Sequence, residues 1–575
     1  MSNQISGAEI LIRSLIDQGV KNIFGYPGGT IMPVYDKLYD YTDRINHYLA
    51  RHEQGAIHAA EGFARVTGKT GVVFATSGPG AMNLLTGLND ALIDSTPIVA
   101  ITGQVATAFL GKDAFQESDI VSVTLPVTKW TIQVRKPEDI APAVAKAFYI
   151  ANSGRPGPVV VDLTKDAQMA MAEYKVETCD YIRSYHPNPE IKDAVILEAA
   201  EMINNAKRPL ILAGHGISIA NAENLLIQLA EKAQIPVGCT MLGLSAIPTS
   251  HPLYKGMLGM HGNIGPNINT NNADVIIALG MRFDDRVTGD VTKYAPDAKI
   301  IHMDIDASEF DKCIKSDLHI HGCVNQALKK LIPFVNESRH DEWLESFKPH
   351  EEIEKRKVIE REVNASTADG KMLMGEVISK VSNAFGEDAI LVTDVGQNQM
   401  FAVKYFGFKH PRSIVTSGGL GTMGFGLPAS IGAKIGEENR NVVLFVGDGG
   451  FQMTLEELGM IMEYNLGVKI VLLNNNFLGN VRQWQHLFFN GRFSATPMIN
   501  PDFRMIADAY GIPAEDIAHR NQLDDAIKRM VEHTGAYLLN VNIEPTDMVF
   551  PMTPPGAGVS DILLAENEYY KPENN

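Results

Sequence analysis

Residues 447–476 read GDGGFQMTLEELGMIMEYNLGVKIVLLNNN, and this stretch decides the fold. The run before it, NVVLFV, is apolar and β-branched throughout, as expected of a strand covered on both faces. It ends in a Gly-Asp-Gly turn. Thr454 and Glu457 have the spacing of a capping box for a helix LEELGMIMEYN. VKIVLLN then reads as a second buried strand. A right-handed β-α-β crossover places both strand ends on one side of a parallel sheet. Asp448 and Asn475, 27 residues apart, span about one such unit, so both fall at the edge where open α/β sheets bind ligands.

The same alternation extends through the chain. GVVFATSGPG, TPIVAITGQ and GPVVVDLTKD mark a first unit over residues 1–170. A linker-like segment follows, ending in SYHPNPE. RPLILAGHGIS, ADVIIALGMRFDDR and AKIIHMDIDASEF mark a second unit over 190–335. The charged run HEEIEKRKVIEREVNAS reads as a solvated helix leading to a third unit over 370–575. The expected class is α/β, with three doubly wound parallel-sheet domains. The N-terminus reads as an amphipathic helix with a capping box from Ser6 to Glu9, not as a signal peptide.

The chain has 575 residues, of which 45% are hydrophobic and 21% charged, and a formal charge of −18. This is a globular composition, and the acidic balance argues against a nucleic-acid binder. The four cysteines form no CxxC pair, which argues against zinc and disulfides and for a reducing cytoplasm. No apolar run is long enough to span a bilayer.

An Asp carboxylate and an Asn carbonyl are hard oxygen ligands suited to Mg²⁺, which fills its remaining positions with water and substrate phosphates. The glycines beside them let a diphosphate approach the backbone. Two other glycine patterns lack context. GFARVTGKT has five residues between Gly62 and Gly68 where a P-loop has four, and GLGTMG has no acidic residue placed for a ribose.

Gly-Asp-Gly followed at this interval by Asn-Asn resembles the signature of thiamine diphosphate enzymes. The resemblance implies that Asp448, Asn475 and the Phe477 carbonyl hold Mg²⁺, and that Glu53, in RHEQGAIHAAEGFAR, activates the aminopyrimidine of the coenzyme. FGYPGG, TSGPGAMN, DAFQE, SGRPGPVVVDLTKD, RFDDRVTG and SGGLGTMGFGLPAS extend the resemblance over nearly the whole chain. They are similar to the catalytic large subunit of acetohydroxyacid synthase (acetolactate synthase), and RFDDRVTG is the most specific of them. That family decarboxylates pyruvate on thiamine diphosphate and joins the two-carbon unit to pyruvate or 2-ketobutyrate.

By the resemblance, Glu53, Gln116, Lys165 and Met423 take catalytic positions, with Met423 supporting the bent coenzyme. Pro27, Gly28, Pro79 and Asn83 in the first unit would contact thiamine diphosphate. So would Gly396, Gln397, Asn398, Gly421, Gly449, Gly450 and Gly479 in the third. Phe115, Arg282 and Trp484 would meet the substrate. A structural FAD is expected against Gly214, Gly216, Gly259, Met260, His261 and Gly280. It would also meet Arg282, Asp284, Arg286, Asp304 and Ile305, with Arg155 reaching in from the first unit. Ile219 stands where a third glycine would complete GxGxxG. Asn398 replaces the family's usual His, Asn480 a Met, Thr30 an Ala and Ala106 a Pro.

The resemblance implies 2-ketoacid substrates, a homodimer or dimer of dimers with the site between two copies, and a separate small regulatory subunit. A flavin-redox enzyme of the pyruvate oxidase type, an FAD-free acetolactate synthase and a non-catalytic homologue remain as alternatives.

Overall fold

The computed structural model describes residues 4–364 and 370–571. Three six-stranded sheets, each wholly parallel, form its frame. The first runs, edge to edge, Asn46–Leu49, Asn22–Gly25, Gly71–Ala75, Ile98–Gln104, Pro158–Thr164 and Trp130–Val134. The third runs Ile414–Val415, Ile390–Thr393, Val442–Gly447, Val468–Asn474, Tyr537–Asn542 and Ala514–Ile517. Numbered from its own first strand, each of these sheets has the order 2-1-3-4-6-5.

The second sheet differs. Its strands Tyr254–Met257, Val237–Cys239, Pro209–Ala213, Val275–Leu279, Lys299–Asp304 and Leu318–His321 have the order 3-2-1-4-5-6. This is the dinucleotide-binding order, and its switch point lies between Pro209–Ala213 and Val275–Leu279. Gly214–Gly216 and Gly280–Arg282 therefore emerge side by side.

The first and third units share a continuous apolar core. Its centre is the crossing of helix Glu53–Thr67 with helix Gly426–Gly436. A Cβ on Gly62 would lie 2.0 Å from the Ala429 carbonyl oxygen, and one on Gly432 only 1.7 Å from that of Ala59. The two backbones touch, and only glycine permits that approach. A second core continues from the middle sheet into the other face of the third.

Three sequence expectations change. Thr454 and Glu457 form no capping box, because tertiary partners take both side chains. The Thr454 hydroxyl donates to the Gly424 carbonyl at 2.8 Å, and the Glu457 carboxylate accepts the Arg51 and His52 backbone N–H groups at 3.0–3.1 Å. At the N-terminus only half of the Ser6–Glu9 box forms. Ser6 Oγ accepts the Glu9 N–H, but the Glu9 carboxylate turns to Arg13 and Tyr41. The charged run is not a wholly solvated helix. Lys348–Glu354 and Glu360–Asn364 flank a π-helical turn, and Ile353, Glu354, Val358 and Glu362 are buried. Glu354 accepts the Ile264 N–H and the Asn263 amide, and Glu362 accepts the Tyr405 hydroxyl. The last two residues of the run, 365 and 366, lie outside the described residues.

No helix among the described residues is long and apolar enough to cross a membrane.

Candidate functional site

Strands Val442–Gly447 and Val468–Asn474 are adjacent and parallel, with Gly447 opposite Leu473. One step further on each strand, this register brings Asp448 beside the turn Asn474–Asn476. Asp448 is almost fully buried, and burial pushes its carboxyl up to about 6. Asn475 Oδ1 accepts the Phe477 N–H at 3.0 Å, closing the turn. The Asn500 amide, 52 residues beyond Asp448, donates to Asp448 Oδ2 at 2.6 Å and to Asn474 Oδ1 at 2.9 Å. Its own oxygen accepts the Gln452 amide. Asn500 thus organises the turn, and nothing local in the sequence pointed to it.

Glycines form the walls here. A Cβ on Gly479 would fall 2.2 Å from Gln397 Oε1 and 2.7 Å from the Asn475 amide nitrogen. One on Gly449 would fall 2.8 Å from Leu478 and 3.6 Å from the Met423 methyl, so Met423 stands against the same turn. Asp394 accepts the Gly424 and Gly426 N–H groups and abuts Gly450. Helices Gln397–Tyr405 and Gly479–Phe488 begin at this edge, with their free N–H groups suited to an anion. Gln397 donates to Gln483 and to the Asp547 carbonyl, while its Oε1 and the Asn398 Oδ1 are buried with no partner among the described residues. Buried polar atoms left so are expected where a ligand completes them.

Glu53 begins its helix at the corresponding edge of the first sheet. Its Oε2 accepts the Asn83 amide at 2.9 Å, and Gly80 packs against its other oxygen. Gly28 packs against Thr76, and the Thr30 hydroxyl meets both Thr76 Oγ1 and the Ser77 N–H. Thr30 thereby ties the Pro27–Gly28 loop to the turn that carries Pro79. Gln116, with φ of +60°, lays its backbone against Gly78. Its loop is held by Glu117, whose carboxylate gathers the Gly111 and Ala114 N–H groups. Phe115 in this loop is 88% exposed. Lys165 is half-buried at the start of helix Lys165–Met169, beyond strand Pro158–Thr164. The hydrogen bond of Glu53 stays in the first unit, and those of the Asp448 carboxylate stay in the third.

A cavity of about 980 Å³ opens at the switch point of the middle sheet, within the range of cofactor sites. Gly216, Met260, His261, Gly280, Arg282, Asp284, Arg286, Asp304 and Ile305 line it, as do Arg155, Gly421, Asn480 and Trp484. Gly214 and Gly259 adjoin in sequence the lining residues His215, Leu258 and Met260. A Cβ on Gly214 would strike the Gly280 carbonyl at 2.3 Å, so that glycine serves strand packing. Arg155 donates to Glu309 at 2.7 Å and to the Ile93 carbonyl at 3.1 Å, joining the first two units. Both His261 ring nitrogens, the Asn480 oxygen and the Trp484 indole nitrogen are buried without a partner among the described residues. Burial pushes the Asp304 carboxyl up to about 7. The Arg286 guanidinium lies 5.9 Å from the Trp484 ring, and Arg282 faces Asp284 at 3.7 Å.

Three family models match the chain. They describe the N-terminal TPP binding domain of thiamine pyrophosphate enzymes over residues 5–123, the central domain over 196–331, and the C-terminal TPP binding domain over 394–541. The chain is 42% identical to the acetolactate synthase isozyme 2 large subunit of Escherichia coli (strain K12), over 97% of this chain and 99% of that protein. It is equally identical to the acetolactate synthase large subunit of Lactococcus lactis subsp. lactis (strain IL1403), over 97% and 96%. With the isozyme 3 large subunit of Escherichia coli it shares 41% identity over 98% and 99%.

Proposed function

The chain belongs to the acetolactate synthase large-subunit family of thiamine diphosphate enzymes, and from that premise we propose the following reaction. Pyruvate loses CO₂, and the remaining two-carbon unit is joined to pyruvate or 2-ketobutyrate, giving 2-acetolactate or 2-aceto-2-hydroxybutyrate. The observation that carries this reading is the register that sets Asp448 beside Asn474–Asn476 at the ligand-binding edge of the third sheet.

Thiamine diphosphate, when bound, supplies the electron sink for decarboxylation and carbon–carbon bond formation. Asp448, Asn475 and the Phe477 carbonyl are oxygen donors for Mg²⁺, and the Asn500 amide holds Asp448 in place. Gly449, Gly450, Gly479, Gly396, Gln397 and Asn398 form the diphosphate cradle, which the starts of helices Gln397–Tyr405 and Gly479–Phe488 support with backbone N–H donors. Glu53 holds a proton at the aminopyrimidine, and Asn83 fixes its carboxyl. Met423, which stands against Gly449, would support the coenzyme from beside this turn.

Glu53 and Asp448 lie on different sheets, and in keeping with the family resemblance the site is read as completed by a second copy of the chain, Glu53 from one and Asp448 from the other. Pro27, Gly28, Pro79, Gln116, Lys165 and the exposed Phe115 then face the third unit of the partner.

The cavity of the middle sheet is assigned to FAD, supported by the 3-2-1-4-5-6 order, the volume and the unpartnered His261 nitrogens. Arg155, Gly216, Met260, His261, Gly280, Asp284, Arg286, Asp304 and Ile305 would hold it, with Gly214 and Gly259 packed against the segments that carry Gly280 and Arg286. Arg282 and Trp484, which also line it, would receive the second ketoacid. Arg282 would meet its carboxylate with two N–H donors, and Trp484 its alkyl group. A small regulatory subunit is proposed as a partner, in keeping with relatives named as large subunits.

The test is a product assay with thiamine diphosphate and Mg²⁺, using pyruvate with and without 2-ketobutyrate. The two acetohydroxy acids are expected. Oxygen uptake stoichiometric with pyruvate would select a flavin oxidase instead, and no turnover a non-catalytic homologue.

A further inference from the structure

Four ionisable side chains are buried together where the first and third units meet: Glu61, Arg65, Asp90 and Asp94. Arg65 and Asp94 reach the wall of the middle-sheet cavity, while Glu61 and Asp90 do not line it. Asp94 Oδ1 accepts the Gly419 N–H at 2.7 Å. Its Oδ2 accepts the Gly418 N–H at 2.9 Å and the Arg65 guanidinium at 2.6 Å. Asp90 Oδ2 accepts the Ser417 hydroxyl at 2.5 Å and the Thr422 hydroxyl. The Thr422 N–H in turn donates to Ser417 Oγ at 2.9 Å, closing the segment on itself. One helical turn, Asp90 to Asp94, therefore grips residues 417–422 at both ends.

Burying this much carboxylate is costly, and Glu61 and Asp90 meet carboxyl to carboxyl within the cluster. Apolar side chains would hold the same interface at lower cost. What carboxylates add is direction, because each acceptor fixes a donor on a segment whose three glycines leave its backbone free.

The gripped segment is a wall shared by two sites. Ser417, Gly418, Gly419, Leu420 and Gly421 line the cavity of the middle sheet. Met423, one residue past Thr422, stands against Gly449 in the diphosphate turn. Asp90 itself touches neither site.

We propose that Asp90, with Asp94, is a positioning residue that couples the two cofactor sites. By holding 417–422 as one rigid strap, it makes filling of the cavity and placing of Met423 a single event. The proposal rests on the reading of the cavity as the flavin site and of the third sheet's edge as the thiamine diphosphate site. A flavin with no net redox duty then serves to keep the strap in register.

Linkage makes the idea measurable without turnover, since each ligand must strengthen the other by the same factor. Flavin affinity is measured by fluorescence quenching on the full chain, with and without thiamine diphosphate and Mg²⁺. Wild type is expected to bind flavin at least about 5-fold tighter with the second ligand present. Asp90→Ala is expected to bring that ratio within about twofold of one. Asp90→Asn, whose carbonyl oxygen still accepts both hydroxyls, is expected to retain the ratio. Should Asp90→Ala fail to fold, the double variant Ser417→Ala/Thr422→Val removes the same bonds from the other side and is expected to lose the ratio too. A ratio of one in wild type, or a wild-type ratio in the variants, overturns the coupling. A wild type that binds no flavin overturns the cavity assignment, and this inference with it.

Discussion

Glu53 and Asp448 are both buried carboxyls at strand ends, and their partners divide their work. Glu53 has a single amide donor, from Asn83, and lies against Gly80. Glu53→Gln keeps the shape and the amide contact but cannot share a proton. Its kcat is expected to fall by about 10²–10⁴ in the product assay, with diphosphate affinity unchanged. Asp448→Ala is expected to do the reverse, removing a metal ligand. Equilibrium titration should show Mg²⁺-dependent binding of thiamine diphosphate lost, with the unfolding midpoint little changed. Asn500 is the residue here that no motif announces. Its partners lie 24 to 52 residues away in the chain, and only folding brings its amide among them. Gln397 and Asn398, in contrast, stand in a glycine turn after a strand, a pattern visible in VTDVGQNQM.

At the scale of elements, the helix Glu53–Thr67 is set by two contacts from the third unit. The first is the glycine crossing. Gly432→Ala would drive a methyl into the Ala59 carbonyl, and a loss of about 1–3 kcal/mol is expected, measured by denaturant unfolding. The second is Glu457, which accepts the Arg51 and His52 N–H groups just ahead of Glu53. Burial pushes the Glu457 carboxyl from 4.5 up to about 7. The folded state then holds this proton more tightly than the unfolded chain, so wild-type stability falls as pH rises from about 4.5 to about 7. Glu457→Gln cannot titrate. Its stability relative to wild type is expected to rise across that window, read from unfolding midpoints in a pH series. The misread capping box has the same origin. Thr454 and Glu457 have the right spacing, but spacing says nothing of the Gly424 carbonyl and the Arg51 and His52 amides that claim them first.

For the whole molecule, a site completed by two copies predicts that activity follows assembly. On dilution, sedimentation should show activity per chain falling with the dimer fraction, and a fully active monomer would rule the shared site out. What the sequence alone determined was local and periodic. β-branched runs of strand length, glycine and acid turns after them, and helical spacing between them follow from steric and hydrophobic preferences of near neighbours. They suffice for three α/β units and for the ends of their strands. The incomplete GxGxxG at Ile219 was weak evidence, but the strand order 3-2-1-4-5-6 that makes the middle sheet a dinucleotide frame was not legible. Nor was the matching order of the other two sheets, or the strap gripped by Asp90 and Asp94. Strand order joins segments tens of positions apart, and the Asp90 and Asp94 contacts join residues 324 to 332 positions apart. Their energies depend on which surfaces are dehydrated together, and that is decided only when the units pack.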